Sequence, residues 1–326
     1  MKGAVIGLGY MGQNHARVLS QLEDVELVAV CDIDDSKSES LAKKYKVNGY
    51  SDYKKMFKNE MLDAVFICLP TTRHYQSAIF ALNLKIPTFI EKPIAATITQ
   101  AKKLVKISKT KKVPLMIGHI ERFNPVVTEI KNRIKSGELG KIIHIHTQRF
   151  SPPPTRAQDV SAIVDLGTHD VDIVNFIAGE QPIRIFAETD TKYHKKEDLM
   201  SAILRYKSGI IGLIEVSWLH PTKIRNLTVL GENGMYIANY LTQELFFYKQ
   251  NELIVKKTTI PSPIQTWADV IKVAFEAKEP LQIEIRSFVT ALKNKTEMPV
   301  TPAEGLAALV LIEKITKSGA RCKIVK

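Results

Sequence analysis

A chain of 326 residues exceeds the usual size of one domain, so two domains with sizeable cores are expected. Its 45% apolar and 25% charged residues are ordinary for a soluble protein, and no apolar stretch approaches the roughly 18 to 20 residues of a membrane span. A net charge of +12 is open to three readings, nucleic acid, an anionic small molecule or a lysine-rich solvated surface, and the lack of an aromatic-interleaved basic stripe favours the last.

Residues 2–6 form a short β-branched apolar run of strand type, too brief and glycine-broken for a secretory signal. Gly7, Gly9 and Gly12 follow at once in the order G-x-G-x-x-G. Ala16, Val18, Leu19 and Leu22 then recur at helical spacing, and a second apolar run at 27–30 leads to Asp32. That order describes a β-α-β dinucleotide-binding unit. Gly7 would turn the chain, Gly9 would let backbone N–H groups near Tyr10 and Met11 approach a pyrophosphate, and Gly12 would allow close helix-to-sheet contact. The phosphates would lie on the positive end of a helix dipole. A glycine-rich turn alone often serves packing only, and Asp32, twenty residues past Gly12, adds the missing function: a carboxylate there accepts hydrogen bonds from an adenosine ribose. Asp32 would repel a 2′-phosphate, and Ile33, Asp34, Asp35 and Ser36 provide no arginine for one, so NAD is expected over NADP.

Next come predicted helices at 36–45 and 51–57, a buried strand at 64–69 closed by Pro70, a loop at Thr71, Thr72, Arg73 and His74, and a helix at 75–84. A strand at 88–91, an amphipathic helix at 101–112 with a wet lysine face, and a strand at 113–118 complete the alternation. Such alternation builds a parallel sheet covered on both faces, with ligands beyond the carboxyl ends of its strands. Leu69, Pro70, Thr71, His74, Glu91 and Lys92 are therefore placed to touch the dinucleotide. Pro93 stops the strand, and a plain surface amine is the alternative for Lys92. Whether the Lys92-Pro93 bond is cis is left open by the sequence. Cys31, Cys68 and Cys322 are odd in number and widely spaced, which points to a reducing cytoplasm with neither disulfides nor a metal.

The glycine loop, Asp32, the Leu69 to His74 stretch, Glu91-Lys92-Pro93 and the run Arg122-Phe123-Asn124-Pro125 together resemble the glucose-fructose oxidoreductase and inositol dehydrogenase family, Gfo/Idh/MocA. The Glu-Lys-Pro triplet is far more specific than the glycines. The resemblance implies an N-terminal Rossmann doubly wound parallel sheet over 1–120 and a C-terminal α+β domain over 121–326. The second domain would carry a large, mostly antiparallel sheet whose open face commonly mediates a homodimer or homotetramer. A return of the C-terminal residues to the first domain is left open.

In the second half, 141–150 alternates as a strand, and Ser151-Pro152-Pro153-Pro154-Thr155-Arg156 makes a stiff loop. Arg149 and Arg156 flank it, either as a guanidinium pair for a phosphate or as two surface arginines. In 163–172, a helix starting near Asp165 would put Asp165 and His169 on one face, four apart, with Asp172 three beyond. Asp165 as a helix cap and His169 as an ordinary part-buried histidine are the plain alternatives. The resemblance matches this pair to the family's catalytic Asp-x-x-x-His, working beside Lys92. Strands are expected at 183–188, 201–206, 210–217, 225–231, 235–239 and 244–248, and helices at 265–277, 281–292 and 301–317, the last with a capped start at Thr301-Pro302-Ala303-Glu304. Residues 322–325 are expected to return as a strand.

The resemblance thus implies an NAD-dependent dehydrogenase in which His169 accepts a hydroxyl proton, Asp165 orients it and Lys92 holds the reacting oxygen. Residues 148–156, Asp159, Val160 and the following helix are similar to members acting on nucleotide-activated amino sugars, notably UDP-N-acetylglucosamine 3-dehydrogenases. That likeness implies a substrate site of Arg122, Asn124, Arg149, Arg156, Asp165 and His169. The alternatives are a dehydrogenase of a neutral polyol such as myo-inositol or glucose, and a non-catalytic protein that senses NAD or a sugar.

Overall fold

The computed structural model describes residues 1–153, 160–250, 268–321 and 323–325. Two compact units emerge: unit 1 is Met1–Phe123 with Glu279–Val310, and unit 2 is Asn124–Lys278 with Leu311–Lys326.

Unit 1 opens with β1 (Lys2–Ile6), α1 (Tyr10–Gln21), β2 (Glu26–Cys31), α2 (Asp35–Tyr45), β3 (Asn48–Tyr50), α3 (Tyr53–Asn59) and β4 (Ala64–Ile67). It continues through α4 (Thr71–Asn83), β5 (Thr88–Glu91), α5 (Ile98–Lys111) and β6 (Leu115–Gly118) to a short 3-10 turn, Ile120–Phe123. The six strands are parallel in the order β3-β2-β1-β4-β5-β6, and the order reverses between β1 and β4. β4, β5 and β6 are buried at every residue, as a sheet covered on both faces requires. Asp34, Asp52 and Thr97 start α2, α3 and α5 by accepting N–H bonds from Ser36, Lys54 and Gln100. The stretch Thr71 to His74, expected as a loop, is instead the first turn of α4. Arg73 N donates to Pro70 O at 2.8 Å, so Pro70 opens the helix directly, its φ of −55° already helical.

Unit 2 begins with α6 (Pro125–Lys135), β7 (Ile142–Phe150), a π-helical turn (Ile163–Gly167) and α7 (Thr168–Ala178). Then follow β8 (Pro182–Asp190), β9 (Leu199–Tyr206), β10 (Ile211–Ser217), β11 (Ile224–Gly231), β12 (Gly234–Asn239), β13 (Glu244–Gln250) and β14 (Ala268–Lys272). Their order is β14-β13-β12-β11-β7-β10-β9-β8, with β7 and β10 parallel and every other pair antiparallel. α6 and α7 pack on one face of this sheet. Helix α6 starts on Asn124, whose Oδ1 accepts Val126 N at 3.3 Å, with Pro125 at the first helical position.

The helix expected over 265–277 is overturned. Ala268–Lys272 pairs with β13 as the edge strand β14, and 273–277 form no regular element, while 265–267 lie outside the described residues. Among the described residues of this segment Val270 and Ile271 are about half exposed and only Val273 is buried, which gives no apolar stripe to hold a helix, whereas the edge of β13 supplies backbone partners.

Two further helices complete the chain, α8 (Pro280–Asn294) and α9 (Pro302–Arg321). In unit 1, α8 packs on α1 and sends Phe288 against Phe66 and Phe89, with ring centroids 5.4 and 5.7 Å apart. The capped start of α9 forms as expected: Glu304 N donates to Thr301 Oγ1 at 3.2 Å, and Thr301 N to Glu304 Oε2 at 2.8 Å. Of the returning strand expected at 322–325, Cys322 lies outside the described residues and the rest makes one bridge, Val325 with Ile185 of β8.

Candidate active site

The exits of β1, β2, β4 and β5 lie at one edge of the unit 1 sheet. Gly7 turns out of β1 at φ +91°, where a Cβ would stand 2.7 Å from the Cys68 carbonyl. At Gly12 a Cβ would lie 1.7 Å from Gly7 O, so α1 can begin against the loop only because glycine is there. Around Gly9, in contrast, a Cβ would meet nothing within 4 Å, and Gly9 caps α1 without a side chain. Open space therefore stands at the helix N-terminus where a pyrophosphate would approach, beside Tyr10, 64% exposed, and half-buried Met11. Asp32 leaves β2 with Oδ2 accepting Leu8 N at 2.6 Å and Oδ1 accepting Asp34 N at 3.0 Å. Each oxygen keeps capacity for a further donor such as a ribose hydroxyl. Together the cradle and the carboxylate fit a dinucleotide.

From the β4 exit, Leu69, Pro70 and Thr71 lead to buried His74, whose Nε2 lies 2.7 Å from Leu69 O and Nδ1 2.8 Å from Pro93 O. Burial pushes its imidazole pKa down against the pull of those two carbonyls. Glu91 ends β5 buried, with Oε1 2.7 Å from His15 Nε2 and Oε2 accepting Lys92 N at 3.2 Å. Burial opposes ionisation of Glu91, and the hydrogen bond and electrostatic pull of His15, followed by the electrostatic pull of Lys92 and of His74, outweigh it, holding the carboxyl below the usual range. Lys92 is half-buried between buried Glu91 and buried Pro93, and the Lys92-Pro93 bond is cis. Burial drives the Cys68 thiol well up, leaving it no thiolate character.

In unit 2, every residue from 161 to 175 is buried except Val164, Asp165 and His169. The helix spanning the π turn and α7 therefore presents one carboxylate and one imidazole on an accessible strip. A π turn at this place is a frequent mark of functional sites. Its start is pinned by Ala162 N donating to Glu197 O at 2.9 Å. The neighbouring Asp198 is buried and accepts Lys192 N and Tyr193 N at 2.7 Å each; burial opposes its charge, but these donors and His194 lower the carboxyl to about 2.

The remaining candidates hold other partners. Arg149 Nε donates to Asp170 Oδ2 at 2.8 Å, both side chains buried, with the guanidinium 5.5 Å from the Tyr240 ring. Asn124 Nδ2 donates to Tyr240 O at 3.3 Å, so Asn124, Arg149 and Tyr240 form one cluster. Arg122, buried in unit 1, pairs with Glu304 at 2.5 Å. Asp172 is buried, and Arg156 lies outside the described residues. Sequence reasoning missed His15. The available signal was its place on the buried stripe of α1, at Gly12, His15, Ala16 and Leu19, where an apolar residue would be ordinary.

Residues 1–119 match an oxidoreductase family with an NAD-binding Rossmann fold, and residues 127–237 match the GFO/IDH/MocA C-terminal domain. The chain belongs to the GFO/IDH/MocA family. As a GFO/IDH/MocA member it is an NAD-binding oxidoreductase, built as a parallel Rossmann sheet and a mostly antiparallel second sheet. It is 29% identical to the myo-inositol 2-dehydrogenase of Thermotoga maritima, over 67% of this chain and 68% of that one. Against the UDP-N-acetylglucosamine 3-dehydrogenase of Acidithiobacillus ferrooxidans it is 23% identical, over 90% of this chain and 88% of that one. A solved structure of the Acidithiobacillus enzyme superposes with a TM-score of 0.88 at 21% identity, covering 98% of this chain and 97% of that one, a likeness of fold.

Proposed function

We propose that this GFO/IDH/MocA member oxidises a sugar hydroxyl to a ketone, with Lys92, Asp165 and His169 as its reacting groups. The observation that carries the reading is the strip of Asp165 and His169, the only ionisable groups left accessible on an otherwise buried helical segment. Bound NAD would supply the hydride acceptor for the carbinol carbon. The glycine loop and Asp32 would hold it by the pyrophosphate and ribose, with Leu69, Pro70, Thr71, His74 and Glu91 shaping the sheet edge beside them. His169 accepts the hydroxyl proton on an imidazole nitrogen, a task suited to a group with an unperturbed pKa near 6.5. Asp165 orients that ring and stabilises its cation, and Lys92 donates a hydrogen bond to the oxygen as alkoxide character develops.

For the substrate we favour the 3-hydroxyl of UDP-N-acetylglucosamine, supported by the likeness of residues 148–156 to enzymes of that activity and by the Acidithiobacillus relative. Arg122 and Arg149 arrive with their charges already met by Glu304 and Asp170. In this reading they and Asn124 form polar walls of the sugar site, and Arg156 is the cation offered to the diphosphate. That same pairing favours the second reading, a neutral polyol, for which the Thermotoga relative also speaks. Incubation of NAD with UDP-N-acetylglucosamine and with myo-inositol, followed by NADH absorbance, separates them. NADH from the nucleotide sugar is expected; NADH from myo-inositol alone moves the assignment to a polyol, and NAD binding without turnover of either leaves a sensor.

We assign the open face of the unit 2 sheet to a second copy of the chain, giving a homodimer or homotetramer. Phe186, Ile203, Leu213, Ile237 and Phe246 fall in one cross-strand row with His146 and Thr228 among them. Such an apolar row on one sheet face marks an association surface. A monomeric mass by light scattering at micromolar concentration refutes this. Free Cys31 and Cys68 support a reducing, cytoplasmic setting.

A further inference from the structure

The role proposed for Lys92 leaves a buried carboxylate at its shoulder unexplained. Glu91 Oε1 lies 2.7 Å from His15 Nε2, and His15 itself is fully buried, with its ring centroid 5.2 Å from that of Phe89 and 6.0 Å from that of Phe66. Phe288 closes the same aromatic group. Placing an imidazole there costs desolvation that an apolar side chain would avoid. Its Nδ1 has no hydrogen-bond partner among the described residues, so Nε2 makes its one polar contact, the one with Glu91. Glu91 in turn accepts Lys92 N, while His74 meets the carbonyl of Pro93. The backbone is thus held on both sides of Lys92.

We propose that the His15-Glu91 pair is a positioning device for Lys92, reaching from α1 through the buried carboxylate to the Lys92 peptide. The proposal rests on the assignment of Lys92 to the reacting oxygen. The groups facing Glu91 are His15 from α1, Lys92 beside it and His74 from α4; the nearby Cys68 thiol is kept protonated by burial and by the carboxyls of Glu91 and of Glu284, which is buried on α8. Burial alone would raise the Glu91 carboxyl, and the His15 hydrogen bond is the main opposing influence. Without His15, Glu91 takes up its proton at a higher pH, and the fixed negative charge beside Lys92 is lost there.

The test measures kcat, KM for NAD and the pH profile, with UDP-N-acetylglucosamine or, where that is the sugar turned over, myo-inositol. His15→Phe, which suits the aromatic surroundings, is expected to lower kcat on the order of 10- to 100-fold, as misplacement of a reacting group does. KM for NAD stays unchanged, and the acid limb of kcat moves to higher pH. His15→Gln, whose amide can donate to the same carboxylate, recovers most of the rate; a merely structural histidine would lower the melting temperature without moving the limb. Should His15→Phe not fold, Glu91→Gln takes its place, keeping the shape and removing the charge, with the same loss of kcat expected. Wild-type kcat and pH profile in the folded variant, alongside an inactive Lys92→Ala, overturn the positioning role. Full turnover by Lys92→Ala instead overturns the assignment beneath it.

Discussion

Lys92→Ala is expected to lower kcat by about a hundredfold or more while NAD still binds, and His169→Ala to do likewise. Neither residue is needed to build the nucleotide cradle, which rests on the glycine loop, Asp32 and the strand ends. Loss of Lys92 removes a hydrogen-bond donor whose value rises as charge develops on the oxygen, so the deficit falls on kcat more than on substrate KM. Loss of His169 removes the proton acceptor and leaves water in its place. Because both groups serve one step, the double variant should be little slower than the worse single variant. Steady-state NADH formation together with NADH binding by fluorescence checks this. Full turnover with both residues replaced contradicts the assignment.

Gly12→Ala is expected to damage both stability and cofactor binding. The new methyl would lie 1.7 Å from Gly7 O, and that atom is backbone held by the β1 turn, so α1 must move away from the strand that it packs on. Overpacking of this kind costs about 1–3 kcal/mol or more, and it displaces the helix N-terminus that faces the pyrophosphate. Gly9→Ala makes the informative control. Nothing lies within 4 Å of its new methyl, and φ of −68° suits any residue, so the melting temperature should hold while NAD affinity falls, because the methyl occupies the approach to the phosphates. Calorimetry and NADH titration of the two variants read the contrast. A Gly12→Ala protein with wild-type melting and affinity would show that the loop is not the rigid cradle described.

Much of unit 1 was legible because its signals are local. Strands buried on both faces read as unbroken apolar runs at β1 and β4, the cap of α9 lies within one turn of the residues it serves, and glycine spacing follows from backbone sterics. The strip of Asp165 and His169 was legible for the same reason, since four residues along a helix bring side chains to one face. β3 escaped notice because three residues paired at an edge carry no periodicity, and β14 because five residues with two adjacent apolar side chains fit either period.

What the amino-acid order determined by itself is whatever short-range forces decide: the β-α-β start, the glycine turn, the capped start of α9 and the four-residue spacing of Asp165 and His169. Only the tertiary structure decided the partners of the buried charges. Arg149 meets Asp170 across 21 residues, Glu91 meets His15 across 76, and Arg122 meets Glu304 across 182. A buried charge must find an opposite charge or a donor, yet nothing near it along the chain states which one, because the partner is chosen by packing of elements remote in sequence.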